Sequence, residues 1–158
     1  MIKKILIILG LATSFGFGFA FNSILVKVAN EPVKRVTGIG GIFFKAKDPK
    51  QLKQWYKTHL GVDASPYGAK FDWRQDEDST KKGYTLWTPF SEKTKYFEPS
   101  AKDFMINYRV EGIDAMVEDL KKDGVTVLDT IEPSPYGKFV HVLDAEGNKI
   151  ELFEPARK

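Results

Sequence analysis

Hydrophobic and polar positions in this chain alternate with two different periods, and the change from one to the other occurs twice. Gly38 to Lys45 (GIGGIFFK) and Phe104 to Val110 (FMINYRV) carry the pattern of strands. Each runs into a helical pattern. In DPKQLKQWYKTHLGV, Asp48 and Pro49 suit an N-cap and a first helical position, and Gly61 suits the stop. EGIDAMVEDLKKDGV repeats that helix and stops at Gly124. Extended segments follow both: Lys70 to Arg74, Tyr84 to Trp87 and Lys95 to Phe97 after the first, then Val125 to Ile131, Lys138 to Leu143 and Lys149 to Phe153 after the second. The strand positions Gly41 and Met105 and the stops Gly61 and Gly124 recur at nearly one offset. The pattern therefore predicts a βαβββ unit, present twice.

The second unit closes on Lys138 to Pro155, KFVHVLDAEGNKIELFEP. Val140 and Val142 alternate with Phe139, His141 and Leu143, and DAEGN supplies turn formers with a glycine for the positive-φ position. In the returning strand Ile150 and Leu152 point one way, Glu151 and Phe153 the other. The hairpin thus delivers one carboxylate, Glu151, to a sheet face that borders a cavity or solvent.

Ahead of the repeat, MIKK is a short cationic start, and Ile5 to Val26 is apolar apart from Thr13, Ser14, Asn22 and Ser23. Gly18 and Ala20 make a small-x-small cleavage signal, yet the stretch is also long enough to span a bilayer uncut. Residues 1–29 read as a signal peptide or membrane anchor in the form of a hydrophobic leader helix, and 30–35 as a linker. The expected location is extracytoplasmic or membrane-anchored, with the membrane contacted through residues 5–26 if the leader stays on.

Composition narrows the rest. The 158 residues, 42% hydrophobic and 13% aromatic, suffice for one domain with a real core. Three of the 24 basic residues (Lys3, Lys4 and Lys27) lie in the leader, so the remaining basic residues balance the 21 acidic ones one for one. That balance lacks the clustered basic excess of a nucleic-acid binder. There is no cysteine, which excludes disulfides and a thioether lipid anchor.

The paired βαβββ units, the opening helix (Asp48, Pro49 and Tyr56, with Leu60-Gly61 closing it) and the closing D-x-E-G-N-x-I-E-L resemble the vicinal oxygen chelate superfamily. That superfamily includes glyoxalase I, extradiol dioxygenases, fosfomycin-resistance enzymes and bleomycin-binding proteins. The resemblance covers nearly everything after the leader, so residues 36–158 are expected to be a glyoxalase-like domain. It implies an α+β fold, the two modules forming a curved mixed sheet around a cavity, and homodimers are frequent among such proteins. It leaves the reaction open.

In metal-dependent relatives the ligands come from the opening strand of each unit and from the closing strand. The matching positions here are Gly41, Met105 and Glu151, with a fourth near Trp87. Glycine offers no donor and a thioether is soft, so the expectation is no metal cofactor, with a divalent ion held by Glu151 and His141 as the alternative. Strand parity places Phe43 and Lys45 with Gly41, and Asn107 and Arg109 with Met105. Trp73 and Trp87 are expected to add aromatic wall. The anticipated site is a small-molecule pocket with Glu151, His141 and Arg109 as the chemically active groups and Phe43, Trp73, Trp87, Met105 and Asn107 as lining. The competing structural interpretation pairs Arg109 with Glu151 across the sheet. His59, two residues before Gly61, suits a helix C-terminus. Three functions stay open: a metal-free binding protein, a metal-free acid–base enzyme, and a glyoxalase-type lyase or dioxygenase with rearranged metal ligands.

Overall fold

The computed structural model describes residues 35–76 and 78–156; the leader and most of the linker lie outside the described residues. The elements run β1 (Val36–Ala46), α1 (Pro49–Leu60), β2 (Ala69–Arg74), β3 (Lys82–Ser91), β4 (Phe104–Val110), α2 (Ile113–Lys122), β5 (Glu132–Ser134), β6 (Gly137–Leu143) and β7 (Lys149–Pro155). The strands form one curved mixed sheet in the order β2-β3-β1-β4-β7-β6-β5. β1 and β4, the opening strands of the two units, pair antiparallel at its centre, and each takes a parallel neighbour, β3 or β7. Among the described residues no helix is long and apolar enough to cross a membrane.

The local signals behave as their chemistry dictates. Asp48 accepts from the backbone N–H groups of Lys50 and Gln51 at 3.0 and 2.9 Å, Pro49 fills the first helical turn, and Gly61 ends α1 at φ 67°. His59 packs at a tilt of 44° against Trp55 in the last turn, 4.8 Å between ring centres. α2 begins at Gly112, which has no capping side chain. Glu154 of β7 fills that role from across the fold, accepting from Gly112 and Ile113 at 2.9 and 3.2 Å. The DAEGN turn closes on Asp144, whose carboxylate accepts from the backbone of Glu146 and Asn148.

Two expected strands differ. Lys95–Phe97 forms turns rather than a third strand of the first unit, which is therefore βαββ. Val125–Ile131 makes only an isolated bridge, Val127 to Val142, and the edge strand forms later at Glu132–Ser134. A four-residue turn, SPYG, opens a hairpin strand in both units, at Ser65–Gly68 and Ser134–Gly137. In each copy the serine hydroxyl donates to the glycine carbonyl at 3.0 Å and accepts from the tyrosine N–H at 3.1 Å.

The sheet separates two apolar clusters. On its helix side Val110, Val140, Val142 and Leu152 pack against Ile113 and Val117 of α2. On the concave side Phe43, Met105 and Phe97 form a second cluster with Leu86 and Phe90. Phe97, 1% exposed, comes from the segment between β3 and β4. An aromatic pair, Tyr96-Phe97, thus folds back over the concave face, Phe97 buried and Tyr96 part-exposed.

Candidate functional site

Cross-strand pairing sets the site. Gly41 of β1 pairs with Asn107 of β4, Asn107 with Glu151 of β7, and Glu151 with His141 of β6. Paired residues share a face, so Asn107, Glu151 and His141 stand in a row on the concave side. They are 4%, 3% and 8% exposed. A charge so deeply buried requires partners.

Glu151 has three. Tyr96 donates its hydroxyl to Oε1, Asn107 donates its amide N–H to Oε2, and His141 Nε2 lies 3.1 Å from Oε1. The other imidazole nitrogen, Nδ1, lies 2.6 Å from Asp129 Oδ2, and the Asp129 carboxylate also accepts from the His141 backbone N–H at 2.8 Å. The result is one continuous chain, Asp129–His141–Glu151–Tyr96, braced by Asn107.

Its electrostatics follow from that wiring. Burial pushes the Glu151 carboxyl upward, but the donors from His141, Tyr96 and Asn107 outweigh it and hold the group below the ordinary carboxylate value. Burial pushes His141 down, while hydrogen bonds to Glu151 and Asp129 outweigh that and raise it. Tyr96 is pushed far up, first by burial and then by the charge and hydrogen bond of Glu151. Each shift works toward imidazolium beside carboxylate, with a neutral phenol. Asn107 Oδ1 is the one atom of this group without a hydrogen-bond partner; it sits over the backbone of Gly40, where a Cβ would approach to 2.1 Å.

Of the sequence-predicted residues, the structure brings together Glu151, His141 and Asn107, with Phe43 and Met105 as an apolar floor beside them. Arg109 is elsewhere. Its guanidinium donates to the Lys82 carbonyl at 3.0 Å and lies over the Trp73 ring at 5.9 Å, so the Arg109–Glu151 pair of the competing interpretation does not form. Arg109 also borders a separate cavity of about 330 Å³ with Glu111, Gly112 and Glu154. Trp73 packs against Gly38 and Gly83, which have no Cβ to obstruct it, and its indole N–H donates to Thr85. Trp87 was expected in the pocket wall, and its position corrects that: it pairs with Ile42 and packs against Phe44 and Tyr56 beneath α1, on the opposite side of the sheet.

Sequence reasoning missed Tyr96, Phe97 and Asp129. A signal existed for the first two, because an aromatic doublet inside the polar run EKTKYFEPS implies burial. Asp129 shares the parity of Val125 and Val127, but its contact with His141 depends on the break before β5.

The donor set does not fit a divalent metal. A side chain at Gly41 would lie 2.6 Å from the Phe43 ring, so the space of a first ligand is filled. The Met105 thioether is buried among Phe43 and Phe97. Glu151 already accepts three side-chain donors, and both His141 nitrogens face carboxylates. Among the described residues no group of three or more His, Cys, Asp or Glu side chains is arranged to hold a metal ion.

Comparison with known proteins agrees with this architecture. No curated protein matches the chain in sequence. Among solved structures, a methylmalonyl-CoA epimerase of Streptomyces coelicolor in complex with 2-nitronate-propionyl-CoA is 18% identical with a TM-score of 0.57, over 77% of this chain and 99% of that one. The methylmalonyl-CoA epimerase of Mycobacterium tuberculosis is 21% identical with a TM-score of 0.52, over 80% and 93%. A glyoxalase/bleomycin resistance protein/dioxygenase superfamily member from Vibrio splendidus 12B01 is 12% identical with a TM-score of 0.47, over 73% and 97%. The family model for the glyoxalase-like domain matches residues 41–153, nearly the whole of the described fold, and the chain accordingly belongs to the glyoxalase-like family.

Proposed function

We propose that this is an exported glyoxalase-like protein that binds a small molecule at the concave face of its sheet without a metal centre. One observation carries the reading. The carboxylate at the position where relatives hold a metal, Glu151, has its negative charge met by His141, Tyr96 and Asn107 instead. Aromatic rings surround that polar row: Phe43 and Phe90 meet edge-to-face at 5.6 Å, and Phe90 and Phe97 at 5.3 Å. Apolar walls around a few orienting polar groups are what small-molecule sites use. The epimerase neighbours share the fold, and at 18% and 21% identity they lend this chain nothing further. Export rests on the leader, and a homodimer on the habits of the superfamily.

A second reading has its own support. The chain Asp129–His141–Glu151 is built as a proton relay is built, with an acid orienting an imidazole that faces a second acid. On that reading the domain moves a proton on its ligand, Glu151 and His141 acting as base and acid.

The test begins with composition. Protein purified without chelator is expected to hold well under one equivalent of Zn, Ni, Mn or Fe; a stoichiometric metal lost in Glu151→Gln would overturn the metal-free reading. A thermal-shift screen of small molecules against wild type and Glu151→Gln then tests binding. Compounds that shift wild type and not the variant are expected. A screen without any such compound counts against the binding role.

A further inference from the structure

We propose that the Tyr96 side chain sits in the seat of the ligand, and that the ligand is a planar aromatic molecule carrying a hydrogen-bond donor at one edge. The inference rests on the small-molecule reading and specifies its ligand class. Tyr96 makes every contact that a bound aromatic ring would make there. One face stacks on Phe90, with ring centres 5.6 Å apart and planes 8° apart, and its edge meets His141 at 5.5 Å and 88°. The Lys149 ammonium lies 5.0 Å from the ring centre. The hydroxyl donates to Glu151.

Exposure shows why this side chain and not its neighbour is the one to be displaced. Tyr96 is 40% exposed, whereas Phe97 is 1% and Glu151 3% exposed. Tyr96 is thus the cover between solvent and the carboxylate. Its backbone is held independently, since the carbonyl of Tyr96 accepts from Lys149 Nζ at 2.7 Å and Phe97 anchors the next position in the core. Rotating the Tyr96 ring outward leaves those anchors in place and uncovers Glu151, His141 and the face of Phe90.

The uncovered seat defines its occupant. The Glu151 carboxylate has lost one of its three donors, and an O–H or N–H on the ligand restores the charge-assisted hydrogen bond at Oε1. An anionic group is excluded by the charge of Glu151 itself. The ring face of Phe90 and the ammonium of Lys149 select a flat π-system over an aliphatic one.

Tyr96→Ala removes a phenol-sized group, and a cavity left in this way takes up a molecule of matching shape. With full-length protein, calorimetry and thermal shift are expected to show phenol binding to Tyr96→Ala at least about tenfold more tightly than toluene, because only phenol donates to the charged acceptor. Equal binding of the two, or binding of neither, overturns the proposal. Tyr96→Phe keeps the packing and covers the case in which the alanine variant does not fold. Its plug lacks the hydrogen bond to Glu151, so phenol should displace it several-fold more readily than it displaces the wild-type ring, and unchanged affinity would overturn the proposal. The two readings fail separately. Wild type that binds small molecules through Glu151 while both variants ignore phenol retains the function and loses this ligand class. Variants that prefer phenol while wild type binds nothing retain the seat and lose the binding role.

Discussion

Glu151 and His141 each pit burial against hydrogen bonding, and in both the hydrogen bonds prevail. The two shifts set a pH window with opposite edges. Glu151, held below its ordinary 4.5, contributes its stability in full above 4.5 and loses it as the pH falls through the lowered value. His141, raised above its ordinary 6.5, contributes in full below 6.5 and loses it as the pH rises through the raised value. The pair is therefore expected to count most between these limits. Glu151→Gln removes one partner of a buried ion pair and should cost roughly 3–5 kcal/mol at about pH 6, with the deficit shrinking as the pH falls below 4.5 or rises above 6.5. Denaturant melts across that range measure it, and a deficit independent of pH would contradict the ion pair. Arg109→Ala is the matched control. Its guanidinium bonds a carbonyl and stacks on Trp73, so its loss should cost about 1 kcal/mol and add independently to that of Glu151→Gln.

The β6–β7 hairpin is the element that places both residues, because its register puts His141 directly opposite Glu151. That register was legible in the sequence: the alternation of Val140 and Val142 with His141, and the DAEGN turn, specify it locally. The helices were legible for the same reason, since Asp48, Pro49 and Gly61 act within one turn. What escaped was non-local. The burial of Phe97 depends on Phe43, Met105 and Phe90, and the position of Trp87 depends on which face α1 covers. Glycine substitutions separate these levels. At Gly147, φ 74° in the hairpin turn, an added Cβ would meet nothing within 4 Å, so Gly147→Ala should cost only the left-handed backbone, about 1–2 kcal/mol. Gly137, φ 144° at the start of β6, would bring a Cβ to 2.1 Å from the Glu154 carbonyl oxygen. Gly137→Ala is expected to cost at least about 3 kcal/mol, because the neighbour is backbone of the paired strand. Urea unfolding of the two variants compares them directly; equal losses would mean that the hairpin yields at its base.

At the scale of the whole molecule, among the described residues both core clusters and the strands of the sheet draw on residues from Val36 onward. The helix-side cluster ties α2 to β4, β6 and β7, and the concave cluster ties β1 and β4 to the segment that carries Tyr96 and Phe97. Two clusters built among the described residues give the domain an apolar core of its own. We propose for the apolar run from Ile5 to Val26 a separate task, insertion into or passage across a membrane. Deleting residues 1–29 is accordingly expected to give a soluble protein that melts cooperatively, with Glu151→Gln destabilising it as much as it destabilises the full chain. Full-length protein should fractionate with membranes or outside the cytoplasm. Each half can fail by itself: a truncated protein that aggregates or melts without cooperativity would make the leader part of the fold, whereas full-length protein found soluble in the cytosol with Met1 retained would remove its role in export.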